Sequence, residues 1–414
     1  MLETLRASLT NEMAQERLSR RGAEMSPLRP ARLATARSIE GLWQRLKTDG
    51  HATDQDQAVI ADSTTVETAE HYSKNIENFI GTAKVPLGVI GPLRINGIHA
   101  NGEFFVPLAT SEAALVASYG RGADIITSAG GATAVMVSES VLRTPAFVFE
   151  DVLQAGLFIE WVVANAENLR AAAEATTRHG KLVLIEPVID NEVVFLLCRY
   201  TTGDASGQNM VTIATHALCL HVEAKTPIKP RHWFLEANFS GDKKASYLGL
   251  LTGRGRKVTA SVFIPDELAE RKLHTSIERI LEYGKIANLG ALLSGQLGAQ
   301  AHYANGLAAL YIATGQDAAC VAESATGYTR MDHRDGGIFL SVSLPNILVG
   351  SVGGGTSLPS ASAALNILGL QGPGKAAALA EVAAVLCLCG EISIIGAMAA
   401  GHFARAHHKL ARKR

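Results

Sequence analysis

Two long stretches of this 414-residue chain carry no Asp, Glu, Lys or Arg: one runs from Ile286 to Gln316, the other from Gly336 to Gly374. Runs of that length pose a choice, because about 20 mainly apolar residues in succession suffice to cross a bilayer. Polar interruptions decide it. Asn288, Gln296, Gln300, His302 and Asn305 break the first stretch, and Pro345, Asn346 and GGGTS break the second. Both read as buried, tightly packed core, with no membrane span. Composition agrees: glycine, at 39 of 414 residues, exceeds its usual share of about 7%, and aromatics make up only 6%. Such a chain favours close backbone packing and ligand-cradling loops over a stacking surface.

Lys and Arg number 38 against 39 Asp and Glu, a net charge of −1. That excludes a strongly basic nucleic-acid binder and an acidic disordered chain. The basic segment GRGRK (253–257) lacks interleaved aromatics, so no nucleic-acid partner is expected. Five cysteines (Cys198, Cys219, Cys320, Cys387 and Cys389) are an odd set in apolar runs, read as buried thiols in a reducing, cytoplasmic setting. Cys387 and Cys389 are one residue apart, without metal or redox spacing, and no metal site is expected. The opening MLETLRASLTNEMAQERL has no apolar core of a signal peptide.

The fold class expected is α/β (α+β). Residues 1–76 read as a charged helical leader, whose TARSIEGLWQRLKTDG helix stops at Gly50. Residues 77–144 begin a large, mostly helical domain with two short strands around a turn at ING and ANG, then a helix over Ser111–Tyr119 opened by Thr110 or Ser111. Residues 145–235 follow the order strand, helix, strand, strand, helix, strand, a split β-α-β pattern that lacks the G-x-G-x-x-G of a dinucleotide fold. Residues 236–414 return to the large domain and end in a long helix with His402, Arg405, His407, His408, Lys409, Arg412, Lys413 and Arg414. Those cations suit a helix C-terminus, either as solvated capping or as a catalytic imidazole with phosphate contacts.

Glu112 is the single charge between Phe104 and Gly120, so it needs a partner or a raised pKa, as a general acid does; a helix-start carboxylate is the plain alternative. Asp317 ends the first uncharged stretch and is expected deep among small residues. Lys243 and Lys244 follow Gly241 in a loop, where one ammonium can pair with a buried carboxylate and the other reach an anion; a wet surface pair is the alternative. The run 201–210, with Asp204, Ala205, Ser206, Gly207 and Asn209, leads into a helix whose N–H groups can take a phosphate or ribose. Gly353, Gly354 and Gly355 allow a cofactor close to the backbone. The glycines of SAGGATAVM (128–136) fit close helix packing equally well.

Taken together, these fragments closely resemble the 3-hydroxy-3-methylglutaryl-CoA reductase family. The segments ENFIG (77–81), VPLGVIGPL (85–93), VPLATSEAALVAS (106–118), TGDASGQNM (202–210), GDKK (241–244), GRGRK (253–257), HYANGLAALYIATGQDAA (302–319), VGGGTSLP (352–359) and the histidines of 401–407 stand in the family's order. The likeness is to the soluble catalytic portion of the eukaryotic/archaeal-type class, with His407 nearer the end than in the other bacterial class. It implies a homodimer or dimer of dimers with active sites at the subunit interface, and an inserted ferredoxin-like, non-Rossmann NADP-binding domain. It implies reduction of an acyl-CoA thioester to an alcohol by two NADPH; the residues alone leave NADH open.

By the resemblance, Glu112 is the proton donor for carbonyl reduction, Lys243 stabilises the oxyanion, Asp317 links the two, and His407 protonates the departing thiolate. Asp204, Asn209 and the 353–355 loop match cofactor positions. Arg143, Asp242, Lys244, Lys285 and Asn305 match residues around the acyl group. One departure is chemical: where the family has a serine near the substrate's free carboxylate, this chain has Glu236. Two carboxylates repel unless one is protonated or paired, which raises a different acyl-CoA or carrier-bound thioester as the alternative substrate. A non-catalytic dimeric protein is the remote alternative, against which all four catalytic matches are present.

Overall fold

The computed structural model describes residues 31–401, together with residues 13, 16, 19, 22 and 25–28. The chain divides into two compact units, Met1–Ala83 and Lys84–Arg414.

In the first unit, helices α1 (Ala36–Thr48), α2 (Asp54–Ile60) and α3 (Ser63–Glu67) are each opened by a side-chain cap: Thr35, Thr53 and Asp62 accept from the third residue inside. Helix α1 buries Ile39 and Trp43, and the Trp43 indole donates to Ile80 O at 2.8 Å. Phe79 is buried and stacked on Tyr72 at 4.6 Å. Residues 77–83, expected in the large domain, thus belong to this unit, because Phe79 and Ile80 complete its small core.

The second unit is a mixed α/β structure around an eleven-stranded sheet. A hairpin of β1 (Leu87–Gly97) and β2 (Asn101–Ala109) turns at Ile98–Ala100, where the sequence signals it. Helix α4 (Leu115–Ser128) starts later than expected: Ala114 sits at φ 71° with no side-chain cap, and Thr110 Oγ1 instead accepts from Glu112 N–H at 3.0 Å. Strand β3 (Ala132–Arg143) follows, then β4 (Ala146–Val148), α5 (Val152–Ala164), α6 (Ala166–Glu174), β5 (Lys181–Asp190), β6 (Val193–Thr201), α7 (Gln208–Lys225) and β7 (His232–Phe234). These last four strands lie in the order β7-β4-β6-β5, every neighbouring pair antiparallel.

The chain continues through α8 (Tyr247–Thr252), β8 (Gly255–Pro265), α9 (Asp266–Leu273), α10 (Ile277–Leu293), β9 (Gly298–Ala299), α11 (Tyr303–Thr314), α12 (Val321–Ser324), β10 (Gly327–Arg334), β11 (Gly337–Ile347), α13 (Pro359–Leu368) and α14 (Ala376–Ala399). Strand β3 ties the sheet together. Its residues Thr133–Ser140 pair with β8, whereas Val141–Arg143 pair with β6, so Arg143 arrives at the junction of the two halves.

Helix α14 is apolar on every face and almost wholly buried; it alone among the described helices is long and apolar enough to cross a membrane, and here it is the central core helix. Its two carboxylates are both spoken for. Glu381 accepts from the backbone N–H groups of His99, Ala100 and Met136 at 2.7–3.1 Å, and Glu391 accepts from Ala301, His302 and the Thr329 hydroxyl at 2.7–3.1 Å. The expectation of buried core holds for β11, but not for the start of the first uncharged stretch. On α10, Ile286, Leu289, Leu292 and Leu293 are exposed, the last two by 77% and 78%. The helix leaves an apolar face uncovered, which uncharged composition alone cannot distinguish from a core.

Candidate active site

The loop after β7 carries Glu236 through Lys244. Lys243 lies at φ 56°, a left-handed conformation that costs a non-glycine residue about 1 kcal/mol and so must be held in place. Its N–H donates to Glu323 Oε1 at 3.1 Å, and its Nζ stands 2.8 Å from Asp317 Oδ2. The Asp317 hydrogen bond holds the Lys243 ammonium above the usual lysine range, against partial burial that pulls the other way. Asp317 is not deep in the core as expected. It is exposed, its other oxygen capping the turn at Ala319 N, while its neighbour Gln316 takes the buried position.

Beneath this loop lies a charge cluster. Arg143 Nη1 reaches Glu236 Oε2 at 3.0 Å and Asp242 Oδ2 at 3.2 Å. Arg254, 1% exposed, reaches Asp242 Oδ1 at 2.9 Å, Glu323 Oε2 at 2.5 Å and Gln208 Oε1 at 2.8 Å. Burial pushes the Glu323 carboxyl up to about 7, opposed by Arg254. Glu236 is therefore a paired carboxylate, not an unpaired one. Lys244 is exposed and donates to Asp242 O.

The two glycine-rich loops form one cradle. The Asp204 carbonyl accepts from Ser351 and Val352 N–H at 2.9 and 3.3 Å, and its carboxylate accepts from Gly374 and Ala376 N–H at 2.7 and 3.2 Å, at the start of α14. Gly350 passes so close to Ala205 and Ser206 that a Cβ there would meet Ser206 N at 2.6 Å. Gly207, at φ 81°, opens α7 with Asn209 exposed in its first turn. Gly353 and Gly354, at φ 75° and 54°, face open space, whereas Gly355 packs on Gly315. Gln316 then clamps Gly350 from both sides, with N–H···O distances of 2.8 and 3.0 Å, tying the cradle to Asp317. Arg256, buried, donates to the carbonyls of Val349 and Gly203 and pairs with Glu139 at 3.2 Å. Arg199 is also buried, committed to Ser140, Thr252 and Gly253.

Glu112 stands elsewhere in the unit. It is exposed rather than buried, and Asn305 donates to both its oxygens at 3.2 and 3.3 Å. Glu112, Asn305, His302, Tyr119, Arg121 and Tyr283 line a cavity of about 460 Å³ whose walls do not include Lys243 or Asp317. Glu391 fixes the entrance of α11 behind Asn305, and Gly390 O meets the His302 ring at 2.9 Å. Lys285 is exposed on α10, 3.7 Å from Glu282. His407 lies outside the described residues. The structure thus gathers the expected residues into two groups, Lys243–Asp317 over the Arg143–Glu236–Asp242 cluster and Glu112 with Asn305, and does not join Asp317 to Glu112 within one chain.

Five residues that organise these groups were not expected: Gln208, Arg254, Arg256, Glu323 and Glu391. The R-G-R spacing was a usable signal, since residues two apart at a strand start face the same way. The other three are scattered in sequence and met only by folding. Among the described residues no cluster of three or more His, Cys, Asp or Glu could hold a metal.

The family profile described as hydroxymethylglutaryl-coenzyme A reductase matches residues 42–412. A protein of Methanothermobacter thermautotrophicus named 3-hydroxy-3-methylglutaryl-coenzyme A reductase is 45% identical over 342 residues, 82% of this chain and 85% of its own. Another of that name from Haloferax volcanii is 44% identical, over 83% and 86% of the two chains. A solved class II 3-hydroxy-3-methylglutaryl-CoA reductase from Streptococcus pneumoniae, bound to NADPH in open conformations, shares the fold with a TM-score of 0.63 at 21% identity, over 87% of this chain and 96% of that one. The chain belongs to the hydroxymethylglutaryl-coenzyme A reductase family, its archaeal relatives agreeing with the eukaryotic/archaeal-type class.

Proposed function

We infer that the chain reduces 3-hydroxy-3-methylglutaryl-CoA to mevalonate and free CoA at the expense of two NADPH. The observation that carries this is the Lys243–Asp317 ion pair, tied through the Gln316–Gly350 clamp to a joined two-loop glycine cradle, in a chain 45% identical to a relative of that name. A different acyl group is not favoured, because the 39–45% identical relatives carry the hydroxymethylglutaryl name and Glu236 is paired with Arg143.

The glycine cradle fits a dinucleotide: Gly353 and Gly354 leave their faces open, and Asp204 to Gly207 lead into the N-terminus of α7, where N–H groups favour phosphate. Asp204, Ala205, Ser206, Gly207, Asn209 and Gly353–Gly355 are the residues that hold it. Each NADPH, when bound, would supply one hydride, so two are used in turn. The βαββαβ order with antiparallel neighbours β7-β4-β6-β5 supports a ferredoxin-like cofactor domain over 145–235, between the two parts of the large domain, 84–144 and 236–414.

Lys243 holds the thioester oxygen as it takes on negative charge. His407 gives a proton to the departing CoA thiolate, a task suited to an imidazole near neutrality. Glu112, oriented by Asn305, gives a proton to the alkoxide formed from the aldehyde. Arg143, Asp242, Lys244 and Lys285 surround the acyl group. Because the cavity lined by Glu112 includes neither Lys243 nor Asp317, a second copy of the chain completes the site, and the exposed leucines of α10 supply an apolar face for it. Five free, buried thiols support a reducing, cytoplasmic setting. The test is an NADPH-oxidation assay with this substrate that also follows free thiol. Two NADPH oxidised per thiol released is expected, and no turnover removes the reading.

A further inference from the structure

We propose that Glu323 is a positioning residue for Lys243, holding the lysine's main chain while Asp317 holds its ammonium. The proposal rests on Lys243 being the group that meets the substrate oxygen. Both acceptors come from one short segment: Asp317 opens the turn at 318–320, and Glu323 lies on α12 directly after it. That segment therefore grips Lys243 at both ends, by the N–H at 3.1 Å and by Nζ at 2.8 Å.

Glu323 is 2% exposed and divides its two oxygens between different tasks. Oε2 meets the Arg254 guanidinium, which itself is anchored by Asp242 and Gln208; Oε1 meets the Lys243 N–H. A buried carboxylate has to be paired, and Oε2 by itself makes that ion pair, with Arg254. The second oxygen is aimed at the main chain of a residue in the left-handed region, whose conformation a carboxylate acceptor stabilises. Burial has already moved the Glu323 carboxyl up to about 7, so its charge near neutrality leans on Arg254. Losing the Oε1 contact frees the Lys243 backbone to relax, which moves Nζ away from Asp317.

Lys243 is faced by Asp317, Asp242 and Cys320 as well as by Glu323 beneath it. The lysine's ionisation is held up chiefly by Asp317, so a displaced Nζ titrates at lower pH. A merely structural Glu323 has no such signature.

Glu323→Gln is nearly isosteric and offers its single oxygen to only one of the two partners. We expect kcat to fall about three- to tenfold with KM for the acyl-CoA unchanged, and the alkaline limb of kcat to move to lower pH. Glu323→Ala extends the loss to about thirtyfold or more if it folds. A Glu323→Gln enzyme with parental kcat and parental alkaline limb overturns the proposal, whatever its thermal stability; so does a change confined to KM. If the parent itself turns over no 3-hydroxy-3-methylglutaryl-CoA, it is the functional reading that fails. The lysine ionisation followed by NMR then decides this inference alone: a lower Lys243 value in Glu323→Gln sustains it, and an unchanged value overturns it.

Discussion

The Lys243 ammonium stands 2.8 Å from Asp317 Oδ2 with both side chains more than two-fifths exposed. An ion pair so open to water adds at most about 1 kcal/mol to stability, so little of the fold depends on it.

Lys243→Ala is accordingly expected to lower kcat by about a hundredfold or more with little change in melting temperature, the usual cost of one oxyanion donor. Asp317→Asn tests the pair by pH. The folded lysine value is raised, so the pair's contribution is complete below the ordinary lysine value and is lost as pH rises through the folded one. Removing the carboxylate moves the alkaline limb of kcat to lower pH; an unmoved limb contradicts the pairing.

Gly350→Ala places a methyl 2.6 Å from Ser206 N, against backbone that has no room to yield. Overpacking of this kind costs about 1–3 kcal/mol. The expected outcome is a lower melting temperature and a higher KM for NADPH, with KM for the acyl-CoA retained. A rise in the acyl-CoA KM alone would place the cradle on the wrong ligand.

Glu391→Leu removes the acceptor of the part-buried Ala301 and His302 N–H groups and of the buried Thr329 hydroxyl. Buried donors left without partners cost about 1–3 kcal/mol each, so urea unfolding is expected at clearly lower concentration. Because Asn305 follows on the same helix, kcat falls in whatever protein remains folded. Parental stability in urea contradicts the capping role.

Leu292 and Leu293 offer the cleanest view of assembly, since both are more than three-quarters exposed. On the proposed shared site, a Leu292→Asp, Leu293→Asp double variant is expected to lower the mass seen by light scattering and to lose turnover together. A variant that remains fully associated shows that the interface lies on another face.

How much of this was legible beforehand differs by residue. The β1–β2 hairpin was readable because its turn and its strand residues are local signals, and the strand-helix order of 145–235 followed from periodicity in the same way. Glu112 and Asp317 stand out as chemistry-bearing from their isolation in uncharged sequence; Asp317 is expected deep in the core, yet both are exposed. A missing charge says that neighbours avoid water or meet another surface, and cannot say which.

By itself the sequence determined the order of elements, the glycine loops, and the presence of Glu112, Lys243, Asp317 and His407, because turns, periodicity and motif spacing act over a few residues. Only the tertiary structure decided what touches what. Strand β3 had to run from β8 to β6 for Arg143 to meet Glu236 and Asp242, and Glu323 had to pass under a loop 80 positions earlier in the chain to reach the N–H of Lys243. Hydrogen bonds and ion pairs act over about 3 Å, so chain distance carries no information about them until the sheet has set the register.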